Sequence, residues 1–468
     1  MFTTQEILKA TKAKRLGPKT ALSFDSISQH SKTIDPSQIF IAIQGERFDG
    51  HSFLKEVFEK GVKAAIVQKG KYNPKEFPTK IFFVVPDTLK ALGQLALFHR
   101  KKFLIPIIGI TGSNGKTTTK DLIAHLLETQ FKVLKTEGNL NNLIGLPFTI
   151  FGLNTSHTLA LLEMGMSIPF EIKRLCQIAH PTAGLITNIG RAHLLTMKSL
   201  STIAHAKGAL LEALPKKGKA FINMDDPYLK PYQKKLTCEV ITYSLKDSKA
   251  HVFGKIKEEC GLEGIEMTCQ WGKQKKESVT FHLPLSGEHN AMNALAAVTV
   301  ALSFGIRVSH IQKAMESFIP TSGRSTFIRL KKGVTLIDDS YNANPNSMTA
   351  AIQMLKKISK NQQTYAVLGD MLELGAKEIE YHREIGRIIE ENNIDNVLTF
   401  GLLSQYIIKE VKNKKKGVSF WTLDQNELIL QLKQELIKNP GVVLIKGSHG
   451  MRMDKVVVAL IEAFGKDA

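Results

Sequence analysis

The sequence predicts an α/β protein of three domains, and three observations predict it. At 468 residues the chain is too long for one ordinary core, so about three domains of roughly 150 residues each are expected. Short apolar β-type runs alternate with helical patterns along most of its length, the pattern of mostly parallel sheets covered by helices. A glycine-rich run, Gly109-Ile110-Thr111-Gly112-Ser113-Asn114-Gly115-Lys116-Thr117-Thr118, follows an apolar strand and opens a helix, the place where such folds hold phosphates.

Taken in order, the first turns of an amphipathic helix begin the chain, where a secretory leader would need a basic stretch and an apolar run. Strands at Ile39–Ile43, Ala64–Val67 and Ile81–Val85, with a helical pattern over Phe53–Lys60, make a small α/β unit. A helix from Thr88 to about Lys101 leads to a buried strand at Ile105–Ile110, which puts the first boundary after residue 102. Strands at Thr158–Glu163, Ala183–Asn188 and Ala220–Asn223 belong to a second domain, 103–320. Its polar, turn-rich stretch Pro227–Gly287 reads as an antiparallel excursion, followed by an Ala-rich helix over His289–Phe304. Pro320-Thr321-Ser322-Gly323 is a linker, and residues 321–468 form a third series with strands at Val334–Ile337, Tyr365–Leu368, Asn396–Phe400, Val418–Trp421 and Val442–Ile445. Helices between these strands predict another mostly parallel, Rossmann-like sheet. No internal repeat or low-complexity tract interrupts the pattern.

Composition excludes several classes. Hydrophobic residues at 43% and charged residues at 23% are the balance of a globular chain. Phe103–Ile110, the longest strongly apolar stretch, is broken by Pro106 and is far shorter than the roughly 20 residues that span a bilayer. A cytoplasmic protein without stable membrane insertion is expected. Cys176, Cys238, Cys260 and Cys269 offer neither a disulfide framework nor a C-x-x-C zinc half-site, so reduced thiols are expected. The net charge of +20 would suit nucleic acid or small anionic substrates. Its lysines are scattered or lie in short runs such as Lys414-Lys415-Lys416 without interleaved aromatics, which argues against nucleic acid.

The chemistry is concentrated in the second domain. In the glycine-rich run, backbone N–H groups and the positive end of a helix converge where a polyphosphate can sit, Lys116 can neutralise the β and γ phosphates, and the Thr117 hydroxyl can hold Mg²⁺. Ile110 stands where the strict Walker spacing would have glycine, so this is a variant P-loop. Glu163 closes one strand, and His193 lies just beyond the end of another in Thr187-Asn188-Ile189-Gly190-Arg191-Ala192-His193. A strand-end carboxylate is a natural Mg²⁺ ligand, although Glu163 alone reads equally well as a solvated strand-end acid and a lone histidine is more often structural. Thr117, Glu163 and His193 at three strand ends point to metal-assisted phosphoryl transfer.

These motifs resemble the Mur ligases, ATP-dependent amide-bond-forming enzymes of peptidoglycan precursor synthesis. The P-loop variant matches, as does Lys207 in Ala204-His205-Ala206-Lys207-Gly208. Three runs resemble the D-alanyl-D-alanine-adding branch: Glu137-Gly138-Asn139-Leu140-Asn141-Asn142-Leu143-Ile144-Gly145-Leu146-Pro147, Asp338-Asp339-Ser340-Tyr341-Asn342-Ala343-Asn344-Pro345 and Gly369-Asp370-Met371-Leu372-Glu373-Leu374-Gly375. With Gly45-Glu46-Arg47-Phe48-Asp49-Gly50-His51 near one end and Lys446-Gly447-Ser448 near the other, the resemblance covers essentially the whole chain.

The resemblance implies three-domain Mur ligase architecture: an N-terminal domain, 1–102, for the UDP end of the substrate, a central P-loop ATPase domain, and a closing C-terminal domain. It implies that the carboxylate of UDP-N-acetylmuramoyl-tripeptide (UDP-MurNAc-tripeptide), whose third residue is meso-diaminopimelate or lysine, takes the γ phosphate of ATP. The amine of D-alanyl-D-alanine then attacks the acyl phosphate. Two Mg²⁺ ions are implied, with Thr117, Glu163 and His193 as ligands, and Lys207 matches a lysine carbamylated in the family. Asn290 and Asn293 would face the nucleotide; from the residues alone, Asn290 could instead cap its helix and Asn293 face solvent. Arg324, Asp339, Tyr341 and Asn342 would complete the nucleotide site. Ser31, Lys32, Gly45, Asp49, Gly50, His51, Asn139, Asn141, Asn142 and Asn344 would meet the other substrates. A monomer is implied.

Several positions depart from the family pattern. His30-Ser31-Lys32 stands where Asp-Ser-Arg is usual, and lysine keeps the charge but not the bidentate fork of arginine. Leu195 and Ala209 replace Glu, while Glu288 and His449 replace Arg. None removes the P-loop, the expected metal ligands or Lys207. The competing readings are a sibling ligase adding diaminopimelate or lysine, a folylpolyglutamate-synthase-like enzyme, a nucleic-acid-stimulated P-loop ATPase, and a nucleotide-binding scaffold without turnover.

Overall fold

Apolar runs too short for helices and bounded by turn residues become the strands of a nine-, a six- and a five-stranded sheet, and Phe2–Thr3 pairs with Ser23–Phe24 in a small two-stranded one. The computed structural model describes residues 2–45, 48–411 and 417–467. Glu46, Arg47 and the Lys414–Lys416 run lie outside the described residues. The chain divides into two compact units, one made of Met1–Gly109, Lys132–Met166 and Phe170–Ala183, the other of Ile110–Phe131, Ser167–Pro169 and Gly184–Ala468.

The first unit begins with the expected helix, Thr4–Thr11, set by a reciprocal cap in which the Thr3 side chain accepts from Glu6 N and the Glu6 side chain from Thr3 N. A five-stranded sheet follows in the order Lys14–Leu16, Ile81–Val85, Ala64–Gln68, Ile39–Ile41, Ile27–Ser28. Only Lys14–Leu16 is antiparallel. Ile39, Phe40, Ile41, Ala65, Ile66 and Val67 are fully buried, as expected for strands covered on both faces. The strand expected to reach Ile43 ends at Ile41, because the chain turns there: Gly45 N donates to Phe48 O and Gly50 N to Ile43 O. Only glycine fits at Gly50, where a Cβ would lie 2.8 Å from Ile43 N.

The largest sheet has nine strands in the order Glu277–Leu283, Ile265–Trp271, Val252–Glu259, Glu239–Ser244, Lys219–Asn223, Ala183–Ile186, Ile107–Thr111, Leu159–Glu163, Val133–Lys135. The glycine-rich run leaves the end of its Ile107–Thr111 strand and enters the helix Lys116–Leu127. Pro227–Gly287 is only partly the antiparallel excursion expected. Glu239–Ser244 pairs in parallel with Lys219–Asn223, and Val252–Glu259 in parallel with Glu239–Ser244. The connection from Asn223 to Glu239 carries a helical turn, Lys230–Lys234, and is long enough for a parallel crossover. The last three strands form the antiparallel meander.

The third sheet, within the second unit, runs Thr326–Leu330, Val334–Asp339, Gly441–Lys446, Gln363–Gly369, Asn396–Phe400, Ser419–Thr422. It is parallel except for the unforeseen edge strand Thr326–Leu330. Alternation along Val334–Asp339 sends Ile337 into one core with Met348, Ile352 and Leu355, and Leu336 into another with Tyr365, Val443 and Leu460. That two-sided burial is why these strands read as continuous apolar runs. Among the described residues no helix is long and apolar enough to cross a membrane. All four cysteines are free, and burial pushes the Cys176 thiol up to about 12.

Candidate active site

Two glycines give the loop its shape. Gly112 lies so close to the neighbouring strand end that a Cβ would sit 1.8 Å from Thr187 Oγ1. Gly115, at φ 76°, precedes the helix Lys116–Leu127 in a left-handed conformation that favours glycine, with Asn293 Oδ1 2.5 Å from where its Cβ would be. The loop is bonded to the segment after Ala183–Ile186 by Ser113 N to Asn188 O (3.0 Å), Asn114 N to Asn188 Oδ1 (3.0 Å), Thr187 Oγ1 to Asn114 O (2.6 Å) and Gly190 N to Ser113 Oγ (2.8 Å). The first N–H groups of any helix lack intrahelical acceptors and carry its positive end. The loop is thus held with that end forward, in the form a polyphosphate needs.

Gly112→Ala is expected to destabilise the protein by about 3 kcal/mol, because the methyl group has no room. Urea unfolding of Gly112→Ala and of Gly112→Ala with Thr187→Ala checks this, the second change being expected to restore part of the loss.

Two lysines converge on one oxygen. Lys116 Nζ donates to Gly112 O at 2.9 Å, and Lys207 Nζ donates to the same oxygen at 3.0 Å. Lys207 is 2% exposed on the helix Leu200–Glu212. Burial, reinforced by the Lys116 charge, holds it well below the ordinary ammonium range. That environment favours the neutral, nucleophilic amine over the ammonium.

His193 is also in the left-handed region, at φ 54°. Burial lowers its pKa, opposed by a hydrogen bond from Nδ1 to Glu373 Oε2 at 2.6 Å and assisted by Lys116 and Lys207. Arg324 Nη2 donates to Thr117 Oγ1 at 3.2 Å, and its guanidinium stacks 3.8 Å from the centroid of the Tyr341 ring. Asn344 Nδ2 donates to Asn114 Oδ1 at 2.6 Å and caps the helix Pro345–Ser359. Residues far along the chain therefore reach the P-loop within the second unit.

Asp339 pairs with Lys446, which also donates to Asn342 O at 2.9 Å. Asn290 and Asn293 are buried, which removes the capping and solvent-facing alternatives. Asn290 Nδ2 bonds back to Ser286 O, Asn293 Nδ2 donates to Asn290 Oδ1 at 3.2 Å, and Gly287 is the helix cap. Thr111 is buried in its strand and Thr118 lies in the first turn of the helix.

In the first unit, Glu163 is 2% exposed at its strand end, with Asn141 Nδ2 donating to Oε1 at 2.8 Å and Glu163 N donating to Thr136 Oγ1. Asn142 Oδ1 accepts from Ile144 N and Gly145 N, so it shapes the turn, while Asn139 O accepts from Asn141 N. Asp49 caps a short helical turn and accepts from His51 Nδ1 at 2.6 Å, and His51 Nε2 accepts from Gln68 N. Burial of Asp49 acts to raise its pKa, but the hydrogen bonds from His51 outweigh it and hold the carboxyl low. Ser31 O and Lys32 O both accept from Lys60 Nζ.

Of the departures, Glu288 opens its helix, where an acid suits the dipole. The His449 ring lies 5.2 Å from that of Tyr341. His30 is exposed, Leu195 N donates to Glu373 O, and nothing in the structure explains Ala209.

Among the described residues no cluster of three or more His, Cys, Asp or Glu is preformed for a metal. Within the second unit the donors present, a threonine hydroxyl and an imidazole, suit a hard cation that keeps phosphate and water ligands. Sequence reasoning passed over Glu373, Lys446 and Arg191. Their partners lie 180, 107 and 193 residues away, and no local spacing reports such pairs.

A glycine-rich loop that opens a helix at a sheet end, with Lys116, Lys207 and Arg324 gathered around it and Asn344 reaching it from beyond a second α/β strand, is an arrangement suited to phosphoryl transfer. The family models for the Mur ligase family catalytic domain, the Mur ligase middle domain and the Mur ligase glutamate ligase domain match residues 23–100, 110–301 and 323–449. The chain belongs to the Mur ligase family and is an ATP-dependent ligase. It is 37% identical over 460 residues, 98% of this chain and 97% of the relative, to UDP-N-acetylmuramoyl-tripeptide--D-alanyl-D-alanine ligase of Bacillus subtilis. The crystal structure of MurF from Acinetobacter baumannii is similar at 30% identity with a TM-score of 0.88, covering 98% of this chain and 99% of that one. MurF ligase from Thermotoga maritima in complex with ADP is similar at 27% identity with a TM-score of 0.82, covering 93% and 97%.

Proposed function

We propose that this chain joins D-alanyl-D-alanine to the terminal carboxylate of UDP-N-acetylmuramoyl-tripeptide, using ATP. The observation that carries the reading is where the Asp338–Pro345 run falls. This segment, by which the sequence resembles the D-alanyl-D-alanine-adding branch, reaches the P-loop: Asn344 bonds to Asn114, and Tyr341 stacks on the Arg324 that bonds Thr117.

The positive helix end and Lys116 would hold the β and γ phosphates, and Arg324, bonded to Thr117, would meet charge that shifts in transfer. Thr117 and His193 would hold Mg²⁺, with Glu163 as a further proposed carboxylate ligand; two ions are the proposed number. When bound, Mg²⁺ neutralises phosphate charge and draws electron density from the transferring group. The tripeptide carboxylate takes the γ phosphate, giving an acyl phosphate and ADP. The dipeptide amine then attacks the acyl carbon, and phosphate leaves with the C–O bonding pair. Lys207, as the carbamate, would present an anion toward the metal site. We take 1–102, 103–320 and 321–468 as the working division for UDP-substrate binding, ATP binding and closure, which the intervals between the three family matches support. Cytoplasmic action as a monomer completes the proposal.

Phosphate release with Mg²⁺ is expected only when ATP, UDP-MurNAc-tripeptide and D-alanyl-D-alanine are all supplied, with the pentapeptide mass in the product. Release with the dipeptide precursor and a diamino acid instead would make it the sibling ligase, and turnover stimulated by DNA or RNA would overturn the ligase reading.

A further inference from the structure

We propose that Glu373 is a positioning residue: its carboxylate fixes the His193 ring so that Nε2 is presented to a divalent cation. The inference rests on the reading above that His193 holds that cation.

The contact has two points. Glu373 Oε2 meets His193 Nδ1 at 2.6 Å, and Glu373 O accepts from Leu195 N at 3.0 Å. With Nδ1 donating to a carboxylate, the imidazole is held in the tautomer whose Nε2 lone pair is available. Among the described residues Nε2 makes no hydrogen bond. Stability does not explain the contact, because with the Glu373 side chain 57% accessible a hydrogen bond between these groups contributes little to folding.

Both residues nonetheless occupy the left-handed region, His193 at φ 54° and Glu373 at φ 62°. Non-glycine residues persist there when the surroundings over-determine them, and here they do. Met371 N donates to His382 Nε2 at 3.0 Å, Leu372 N donates to Ser448 Oγ at 2.8 Å, and Leu403 N and Ser404 N donate to the Asp370 carboxylate. Gly375, at φ 70°, permits the close approach, since a Cβ there would lie 3.2 Å from Leu195 Cα. The His193 loop is held on its other side as well. Arg191 makes two hydrogen bonds to Glu384, lies over the Tyr381 ring, and donates its backbone N–H to Asn346 Oδ1. Glu373 is thus the end of an anchored loop, aimed at one side of one imidazole.

The probe is Mn²⁺ with ADP, followed by electron paramagnetic resonance, on the full chain and its Glu373→Ala and Glu373→Gln variants. Wild type is expected to bind Mn²⁺ in the ADP complex and to form product; if it does neither, the His193 reading fails before this inference is reached. Glu373→Ala is expected to weaken Mn²⁺ binding about 10- to 100-fold. It should lower kcat, leave both KM values for the peptide substrates and the unfolding midpoint little changed, and be partly rescued by excess Mg²⁺. Glu373→Gln, whose amide oxygen still accepts from Nδ1, should fall between. Wild-type Mn²⁺ affinity and Mg²⁺ dependence in both variants would overturn the proposal, as would a loss of activity matched only by a loss of folded protein.

Discussion

Lys116→Ala is expected to lower product formation about a thousandfold while leaving a folded protein, because it removes a fixed positive charge from the place where phosphate charge shifts. The fold should survive. Lys116 is the first residue of its helix, its side chain bonds the loop through Gly112 O, and that oxygen keeps a second donor in Lys207. The variant carries a second readout. With Lys116 gone, one of the two influences that keep Lys207 from holding its proton disappears, while burial remains. With both proteins freed of carbamate in CO₂-depleted buffer, Lys207 should therefore react more slowly with amine reagents at neutral pH in the variant than in the wild type. Phosphate release, pentapeptide mass and thermal unfolding measured together decide the matter; a folded variant working near the original rate would remove the P-loop from the mechanism.

Lys207→Ala is expected to lose activity by about a hundredfold or more, and acetate, formate or bicarbonate should restore part of it. An ammonium group 2% exposed, facing another lysine across one carbonyl oxygen, is destabilised by desolvation and by repulsion, so the amine is favoured. A neutral amine attacks CO₂ through its nitrogen lone pair, forms an N–C bond and releases a proton to solvent. The product is an anion, which reverses the unfavourable sign of charge beside Lys116. A small carboxylate entering the space left by Lys207→Ala would supply the same charge. Wild type in CO₂-depleted buffer should lose activity and regain it with bicarbonate, and ¹³C-labelled bicarbonate should give a carbamate resonance absent from the variant. Full activity of Lys207→Ala without additive would overturn the assignment.

Where chemistry is written in adjacent residues, the sequence was readable. The P-loop announces itself because its glycines, lysine and threonines must be consecutive, and the strands around it because burial on both faces leaves unbroken apolar runs such as Gly441–Lys446. Sheet order was less readable. Thr326–Leu330 alternates weakly and precedes a turn, so its sequence does not announce a strand, and nothing in Glu239–Ser244 says whether its neighbour runs parallel or antiparallel. Pairing across the fold was the least readable. Glu373 sits inside a recognised motif, yet its partner is set by how a loop after one sheet meets a turn after another. Asp49 and His51 show the reverse case: both look like ligand-binding residues in sequence, and the structure turns them toward each other and toward Gln68.

The contact between Gly112 and Thr187 also bears on how this loop can change over generations. A side chain at 112 cannot enter while Thr187 Oγ1 occupies its space, and Thr187 cannot be trimmed freely because the same hydroxyl donates to Asn114 O at 2.6 Å. Two positions must therefore mutate together, and the first step of either order is a loss. A growth inhibitor that rests against this part of the loop would face a target with few single-step routes to resistance.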